Sequence, residues 1–450
     1  MKIILMSPAG AMYRCSSGSF RKALRYAPLT LSTLAALVPD ELRAEIEIID
    51  EGVQRLPDRI EADLVGITAI TGTATRAYRI ADRLRAHGVP VVLGGVHPTI
   101  MPEEASEHAD CVVAGFAEEV WPELLRDFVA GRMRPVYRQS KDLSLENRPF
   151  ARRDLLHKRL YLTLNSMQAT RGCSNECDFC VIPGAWGTTQ FFRPIEDVVR
   201  ELETLEGRYV TFLDPSPTED VEYAKALFRA MVPLRKTWFG LSTVKIAEDP
   251  ELLNLCAKSG CRGLLLGFET LSQTGLEWIG KDFNFPRTYM DVVAKLHDHG
   301  IAIQGCFVFG FDSDDESVFE RTVDFVKASA IDLPRYAVCT PFPKTELYKK
   351  WKAEGRILTE DWALYDSQHA VYRPAQMSPD RLVEGLHWAW DETYAGGAIV
   401  SRIARSRCVP LISALANVGY RIYARRLPTF PPSAVSEVGA PELTFSAGPA

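Results

Sequence analysis

The chain has 450 residues, of which 46% are hydrophobic and 24% are charged, and this length is sufficient for two or three packed domains. The formal net charge of −6 is small for the length and disfavours DNA or RNA as the main partner. An apolar run at the N-terminus stops at Pro8, which is too short for a signal peptide or a membrane span, so we expect a cytoplasmic protein.

Residues 1–140 alternate strand-like with helix-like segments, a pattern that favours a Rossmann-like α/β domain with a doubly wound parallel sheet. The predicted strands are 3–6, 44–49, 64–68, 89–93 and 111–114, and the predicted helices are 29–37, 74–86 and 118–129. Sheets of this type bind ligands at the carboxyl ends of their strands. Small and polar residues follow two of these ends and form our candidate ligand-binding set: Thr68, Thr71, Gly94, Gly95, His97, Pro98 and Thr99.

A polar, arginine-rich stretch, roughly Arg132 to Lys158, has no clear periodicity, and we interpret 141–158 as a linker between domains. A second α/β series follows over 159–350, with predicted strands at 161–169, 209–213, 238–242, 263–268, 301–309 and 335–339. Six such units predict a partial (β/α)6 barrel, with its active site at the carboxyl ends of the strands. Residues 351–427 are predicted to form a helical extension and residues 428–450 a disordered tail.

Three cysteines, Cys173, Cys177 and Cys180, lie within eight positions in the spacing C-x3-C-x2-C, so one short loop can direct three thiolates at a 4Fe-4S cluster. No fourth cysteine follows nearby in the sequence. One iron therefore keeps an open coordination position, which suits the amino and carboxylate groups of S-adenosylmethionine (SAM). The alternatives are a zinc site or three cysteines that are close by coincidence, but zinc requires a nearby fourth Cys or His and usually uses paired C-x2-C spacing.

The cysteine loop resembles the signature of the radical SAM superfamily, in which an aromatic residue before the third cysteine packs beside the adenine of SAM; Phe179 has that position. The resemblance implies reductive cleavage of SAM to a 5'-deoxyadenosyl radical, which abstracts hydrogen from an unactivated C–H bond. It also implies SAM contacts at the ends of the second, third and fourth strands, where Asp214, Ser242 and Glu269 lie. For these residues the alternative is a helix cap or a loop hydrogen bond.

The N-terminal domain resembles the cobalamin-binding domain of cobalamin-dependent radical SAM proteins. The matching runs are 28–29, 34–35, 62–68, 94–99, 102–104 and 109–115, and they add Gly115 to the candidate cobalamin contacts. The motif Asp-x-His-x-x-Gly, which supplies a histidine to cobalt in other cobalamin domains, does not occur in the sequence, and the usual Gly-Glu-x-Glu is here Gly115-Phe116-Ala117-Glu118. A sheet that keeps this fold without a corrinoid, or with another ligand, stays open as the alternative.

Together these features predict a cobalamin-dependent radical SAM C-methyltransferase that acts on an unactivated sp3 carbon and receives electrons from a low-potential donor such as flavodoxin or ferredoxin. The stretch from Gly305 through Pro343 to the region near Trp390 resembles the branch that contains hopanoid methylases. The alternative functions are cyclisation or rearrangement, as in the anaerobic magnesium-protoporphyrin cyclase, and a non-catalytic corrinoid or iron–sulfur sensor.

Two cysteines of the barrel and one basic segment give weaker signals. Cys306 and Cys339, on the fifth and sixth predicted barrel strands, are candidate catalytic residues, although buried cysteines at such positions are more often small core residues. Residues 396–427 carry six arginines among apolar positions and no acidic residue. This pattern fits a peripheral contact with the inner membrane face, which would favour a lipid or another apolar small-molecule substrate, and it also fits a cap helix packed on the barrel.

Overall fold

The computed structural model of the chain describes residues 1–10, 27–57, 59–140, 143–406 and 408–429. The N-terminal part contains a sheet of six parallel strands in the order β2-β1-β3-β4-β5-β6. These strands are β1 (Lys2–Ser7), β2 (Glu45–Asp50), β3 (Leu64–Thr68), β4 (Val91–Gly94), β5 (Cys111–Ala114) and β6 (Val136–Arg138). The associated helices are α1 (Leu29–Ala36), α2 (Ala74–Ala86), α3 (Val96–Ile100), α4 (Pro102–His108) and α5 (Val120–Val129). The predicted doubly wound α/β domain is confirmed.

The strands of this sheet are apolar on both faces because helices cover both sides of it. Two separate hydrophobic clusters result, one on each face. Gly66 in β3 allows Trp121 of α5 to pack directly on the sheet, since an added β-carbon would lie 3.3 Å from the indole ring. Strand β6 lies in the arginine-rich stretch that we interpret as irregular from the sequence. Three residues are too few to show a strand period, and the backbone pairs with β5.

The chain then forms the barrel strands and one small hairpin. In chain order they are β7 (Ser166–Met167), β8 (Thr170–Arg171), β9 (Phe191–Phe192), β10 (Tyr209–Phe212), β11 (Thr237–Ser242), β12 (Cys261–Glu269), β13 (Ala302–Phe309) and β14 (Arg335–Val338). Strands β8 and β9 pair with each other antiparallel. The other six form a parallel sheet in the order β14-β13-β12-β11-β10-β7, which leaves β14 and β7 as its two edges over the described residues.

Helices lie between these strands and after the last of them, as in the predicted partial barrel, and this architecture is confirmed. They are α6 (Val181–Trp186), α7 (Ile195–Thr204), α8 (Val221–Met231), α9 (Pro250–Lys258), α10 (Gln273–Trp278), α11 (Tyr289–Asp298), α12 (Val318–Ser329) and α13 (Glu346–Ala353). Strand β7 is much shorter than the predicted 161–169. The reason is a contact with distant residues, because the side-chain amide of Asn165 donates to the carbonyl oxygens of Glu206 and Tyr209, at 2.7 and 3.0 Å, and interrupts the ladder just before β7.

The C-terminal part is helical, as the sequence predicts, with α14 (Pro379–Thr393), α15 (Gly396–Ser406) and α16 (Pro410–Arg426). Helix α14 packs outside β14, where Trp390 Nε1 donates to the carbonyl of Tyr336 at 3.2 Å. Helix α16 reaches the barrel through Tyr420, whose hydroxyl accepts a 2.6 Å hydrogen bond from Gln304. None of the helices in the described ranges combines the length and apolar character that crossing a bilayer requires. Residues 430–450 of the predicted tail lie outside the described residues.

Residues 357–372, which we name the bridging segment, connect the two α/β domains. Its Trp362 donates from Nε1 to Glu104 of α4, 3.0 Å from both carboxylate oxygens. Its Tyr365 and Trp362 belong to the hydrophobic cluster of the N-terminal sheet. At the other end, Tyr372 donates from its hydroxyl to the carbonyl of Gly310, just after β13. The bridging segment therefore fixes the N-terminal domain against the carboxyl end of the barrel.

Candidate active site

The cysteine loop, residues 172–180, lies between β8 and α6 at the carboxyl end of the barrel sheet. Gly172 begins it with φ +79°, and a β-carbon at this position would collide with the carbonyl oxygen of Thr189, so glycine is required. Asp178 anchors the loop from two sides. Its N–H donates to the carbonyl of Ile279 and its carbonyl accepts from the N–H of Leu347, each at 3.0 Å.

The three cysteine thiols of this loop are free and lie close enough to affect one another's ionisation. Burial, with smaller contributions from the neighbouring thiols, raises the pKa of Cys177 to about 12 and that of Cys180 to about 11. Such thiols give up their protons when a metal provides the compensating charge. Three thiols on one short loop therefore fit the donor set of a 4Fe-4S cluster with one iron left for another ligand.

A buried ion pair lies beside the cysteine loop. Lys281 Nζ is 2.6 Å from Glu269 Oε1 and 3.1 Å from the carbonyl of Gly267, and the two charged side chains are each 9% exposed. Glu269 has φ +62° at a bulge that ends β12. Burial alone would lower the pKa of Lys281, but Glu269 and Cys177 raise it, so the ammonium stays charged next to the thiols.

Two buried polar residues lie at the ends of neighbouring strands: Asp214 follows β10, and Ser242 is the last residue of β11. Asp214 Oδ1 accepts from the N–H of Ala169, at 2.8 Å, and from the N–H and hydroxyl of Thr170, so it holds the chain that leads into the cysteine loop. Its Oδ2 is buried with no partner among the described residues. Burial raises the pKa of Asp214 to about 6. Ser242 exchanges a 2.7 Å hydrogen bond with Thr218.

The remaining barrel candidates differ in exposure. Phe179 packs edge-on against Phe311, with ring centroids 6.5 Å apart. Burial alternates along β13, and Cys306 is on the part-exposed face, opposite the residues that pack under the helices. This face is the barrel interior. Cys339 is 1% exposed and belongs to the hydrophobic core, and burial raises its pKa well above the ordinary value.

The candidate cobalamin residues meet at one edge of the N-terminal sheet. Gly95 has φ +98°, and an added β-carbon would lie 2.7 Å from both the carbonyl of Ala69 and the hydroxyl of Thr68. The hydroxyl of Thr99 donates to Gly95 at 2.7 Å and accepts from the N–H of Gly115 at 3.0 Å. The loops after β3, β4 and β5 thus touch one another, with Gly94 ending β4 and Pro98 buried in α3. Glycines let backbone approach backbone here, and this edge fits a large ligand held by main chain.

His97 is fully buried within this edge. Its Nδ1 lies 3.3 Å from the hydroxyl of Thr71, and its Nε2 lies 3.2 Å from Glu104, which also accepts from Trp362. Both ring nitrogens therefore have partners within the protein. Contact of His97 with cobalamin stays a prediction.

The loop after β5 contacts both flanks of the cysteine loop. Phe116 stacks on Trp186 of α6, with ring centroids 5.0 Å apart and planes at 11°. Glu118 forms a partly buried ion pair, 2.8 Å apart, with Arg171, which lies two residues before Cys173. The departure from Gly-Glu-x-Glu thus places an aromatic ring at the junction of the two domains.

Comparison with known proteins identifies the two domains. Residues 24–125 match the B12 binding domain model, and residues 167–326 match the Radical SAM superfamily model. A bacteriochlorophyllide d C-12(1)-methyltransferase of Chlorobaculum tepidum is 34% identical over 389 residues, which cover 84% of each chain. The chain belongs to the cobalamin-dependent radical SAM family. A bacteriochlorophyllide d C-8(2)-methyltransferase of the same organism is 30% identical over 78% of this chain and 82% of its own.

Further similar proteins agree with the resemblances found in the sequence. A hopanoid C-2 methylase of Rhodopseudomonas palustris is 26% identical over 74% of this chain and 66% of its own. An anaerobic magnesium-protoporphyrin IX monomethyl ester cyclase of Cereibacter sphaeroides is 23% identical over 73% and 59%. The structure of the radical SAM methyltransferase TsrM of Kitasatospora setae with tryptophan and a SAM analogue has the same fold, with TM-score 0.64, 20% identity and coverage of 78% and 76%.

This cobalamin-dependent radical SAM protein is an enzyme of the methyltransferase group, and its cofactors are a 4Fe-4S cluster, SAM and cobalamin. It requires a reductant and a small-molecule substrate. Two features of its site have no signal in the sequence. Lys281 pairs with a residue twelve positions away, on the other side of helix α10, and the Phe116–Trp186 contact joins positions seventy residues apart. Spacing rules detect ligands on one loop, whereas these contacts exist only after folding.

Proposed function

We propose that this enzyme methylates an sp3 side-chain carbon of a magnesium tetrapyrrole. The observation that carries the proposal is the 34% identity with a bacteriochlorophyllide d methyltransferase over 84% of both chains, supported by 30% identity with a second enzyme that acts on another position of bacteriochlorophyllide d. Bacteriochlorophyllides are flat, largely apolar macrocycles with a central magnesium. A site between two α/β domains suits such a broad substrate, because ligand pockets form preferentially where domains meet.

The barrel interior supports an apolar substrate. Burial alternates along β11 and β12, and the part-exposed face carries Phe239, Leu241 and Leu265 together with Cys306 on β13. When bound, the cluster and SAM supply hydrogen abstraction and cobalamin supplies the methyl group. The side chains of this face would hold the substrate and exclude water and stray hydrogen donors from the reacting carbon.

Around the cluster, we propose that Cys173, Cys177 and Cys180 bind the three irons and that Phe179 packs beside adenine. The unpartnered Oδ2 of Asp214 is a suitable acceptor for the ammonium of SAM, since its Oδ1 is already occupied by Ala169 and Thr170. Ser242 and Glu269 have protein partners and would act mainly by shaping the pocket. Thr68, Thr71, Gly94, Gly95, His97, Pro98, Thr99 and Gly115 would form the cobalamin seat.

The test is anaerobic turnover of the reconstituted enzyme with SAM that carries a deuterated methyl group and a panel of bacteriochlorophyllides and other tetrapyrroles. We expect a product heavier by one labelled methyl group, together with 5'-deoxyadenosine. Cys177→Ala should abolish both products, and Cys408→Ala, at a buried cysteine outside the loop, should leave them unchanged. Methylation of no tetrapyrrole would refute the substrate class. Absence of 5'-deoxyadenosine under all conditions would instead favour a non-catalytic sensor.

A second candidate function is cyclisation or rearrangement of a tetrapyrrole. It is favoured by the 23% identity with the magnesium-protoporphyrin IX monomethyl ester cyclase and by Cys306, which faces the barrel interior and could donate hydrogen to a substrate radical. The labelled-SAM experiment separates the two functions. Formation of 5'-deoxyadenosine with an altered but unlabelled product would identify the cyclase or rearrangement reaction.

For its partners, we propose a flavodoxin or ferredoxin as the electron donor and a lipid surface as a peripheral contact of residues 396–427. Leu411, Leu415 and Val418 form one exposed stripe on α16, with exposed fractions of 74, 67 and 48%. The arginines contribute less than the sequence suggests, because Arg402 and Arg421 turn inward to the carbonyls of Thr393 and Tyr394. Co-sedimentation with anionic vesicles should be lost in Leu411→Ser/Leu415→Ser, and binding by that variant would refute the contact.

A further inference from the structure

The bridging segment contains a carboxylate–histidine pair that the reaction described above does not use. His369 Nδ1 lies 2.9 Å from Asp366 Oδ1 and 3.1 Å from Oδ2. Asp366 Oδ1 also accepts from the backbone N–H groups of Gln368 and His369, at 2.9 and 3.2 Å. The carboxylate is therefore held rigidly, and it fixes both the orientation and the tautomer of the imidazole ring, with the proton on Nδ1.

The second nitrogen of this ring is available to a ligand. Nε2 of His369 has no hydrogen-bond partner among the residues that the structure describes, and the side chain is 31% exposed, whereas that of Asp366 is 5% exposed. The pair thus has a buried charged end and an accessible end with a lone pair. A protein histidine whose Nδ1–H is held by a carboxylate in this way is typical of metal ligands, because the carboxylate makes Nε2 a stronger donor.

The pair lies where the two domains meet. On the barrel side, the carbonyl of Ser367 accepts a 2.8 Å hydrogen bond from the N–H of Val338, the last residue of β14. On the N-terminal side, a β-carbon at Gly72 would lie 3.1 Å from the carbonyl of Tyr365 and 3.9 Å from Asp366 Cα. Gly72 belongs to the loop after β3 that carries the candidate cobalamin residues Thr68 and Thr71. The pair therefore sits between the proposed cobalamin seat and the carboxyl end of the barrel.

We propose that Nε2 of His369 is the axial ligand of the central magnesium of the substrate, with Asp366 as its positioning residue. This inference rests on the proposed function, because it requires a metal tetrapyrrole as the substrate. A magnesium ion held by four ring nitrogens accepts a fifth ligand from one face of the macrocycle. The coordinate bond would fix the distance and tilt of the ring and so select which side-chain carbon faces the reacting groups.

The alternative occupant of His369 is a carboxylate of the substrate. The geometry favours the metal, because the negatively charged Oδ1 of Asp366 lies 2.9 Å from Nδ1, on the side of the ring opposite Nε2. That charge repels a second carboxylate and attracts a magnesium ion. The same carboxylate also raises the pKa of His369 through their hydrogen bond, so the comparison with the metal-free pigment decides between the two occupants.

The experiment uses the full-length, reconstituted enzyme and two probes, magnesium chlorophyllide and its metal-free counterpart. Binding is followed by fluorescence, and ligation by the absorption and magnetic circular dichroism bands of the pigment, which respond to the number of axial ligands. We expect His369→Ala to weaken binding of the magnesium pigment at least tenfold, to abolish the band shift and to leave the metal-free pigment unaffected. Added imidazole should restore the shift. Asp366→Asn should keep the shift with weaker binding.

The matched control is His387→Ala on α14, a half-buried histidine close to His369, which should bind both pigments as the wild type does. The inference is overturned if His369→Ala retains the wild-type spectrum, or if it weakens both pigments equally, which would indicate a carboxylate anchor or a hydrogen bond. If the wild type binds the metal-free pigment but not the magnesium pigment, the inference fails and the tetrapyrrole substrate class survives. If it binds neither pigment, the substrate class itself fails.

Discussion

Glu269→Gln and Lys281→Met are expected to increase local opening of residues 267–284, which lie beside the cysteine loop. Each variant leaves one member of a buried pair, 2.6 Å apart and 9% exposed, without its counter-charge. Loss of one partner of such a pair typically costs about 3–5 kcal/mol. The amide introduced by Glu269→Gln can still accept from Lys281, so this variant should fall near about 3 kcal/mol, or roughly 150-fold in the local opening constant. Lys281→Met leaves a bare carboxylate and should cost more.

Hydrogen exchange measured by mass spectrometry over residues 267–284 of the reconstituted enzyme gives this opening constant without a global unfolding model. The double variant Glu269→Gln/Lys281→Met should exchange more slowly than the product of the two single effects predicts, because it carries no unpaired charge. The exposed pair Asp291 and Lys295 provides the control, and Lys295→Met should change exchange near α11 by less than about 1 kcal/mol. Additive costs in the double variant would refute the assignment of Lys281 as the counter-ion of Glu269.

Three further predictions concern the two cofactor domains. Gly95→Ala should lower the thermal midpoint and the cobalt content, because its β-carbon would crowd Ala69 and Thr68; Gly397→Ala, in open space, should change neither, and a normal cobalt content in Gly95→Ala would contradict the packing argument. Asp214 has a pKa raised by burial to about 6, so the native state binds its proton more tightly than the unfolded chain does, and stability should fall as pH rises from about 4 to about 6. Asp214→Asn should flatten this slope in denaturation midpoints, and an unchanged slope would exclude Asp214 as its source. Phe116→Ala should speed proteolysis between the domains, since it removes the stack on Trp186, while equal cleavage rates would show that the stack is dispensable.

Much of the fold follows directly from the sequence, for a physical reason. Strands buried on both faces of a parallel sheet are short apolar runs, and most of them are therefore predicted within a few residues of their observed bounds, such as β3 at Leu64–Thr68. The cysteine loop is predictable because its three thiol donors lie within eight positions of one another, so their spacing is visible in the sequence. Strand β6 and the short β7 depend on partners elsewhere in the chain, so periodicity misses β6 and overestimates the length of β7.

Contacts between distant positions are the part that the sequence does not reveal. A buried lysine such as Lys281 has the same local pattern as an exposed one until Glu269 is placed beside it. The arginines of 396–427 show the converse case. Their charge suggests a solvated or membrane-facing surface, but Arg402 is 4% exposed and bonds to Asn417 on the next helix. The residue type gives the charge of a side chain, whereas packing determines whether that charge faces solvent or a partner inside the protein.

The bridging segment limits how this protein can be recombined with its relatives. Trp362 and Tyr365 come from beyond the barrel, yet they complete the hydrophobic cluster of the N-terminal sheet. A chimera that exchanges only residues 1–140 would therefore join a foreign sheet to the wrong aromatic pair and leave Glu104 without its indole donor. Exchange of residues 357–372 together with the N-terminal domain would keep these contacts. The residues that must be exchanged together with the cobalamin domain are thus discontinuous in the sequence, although they are continuous in space.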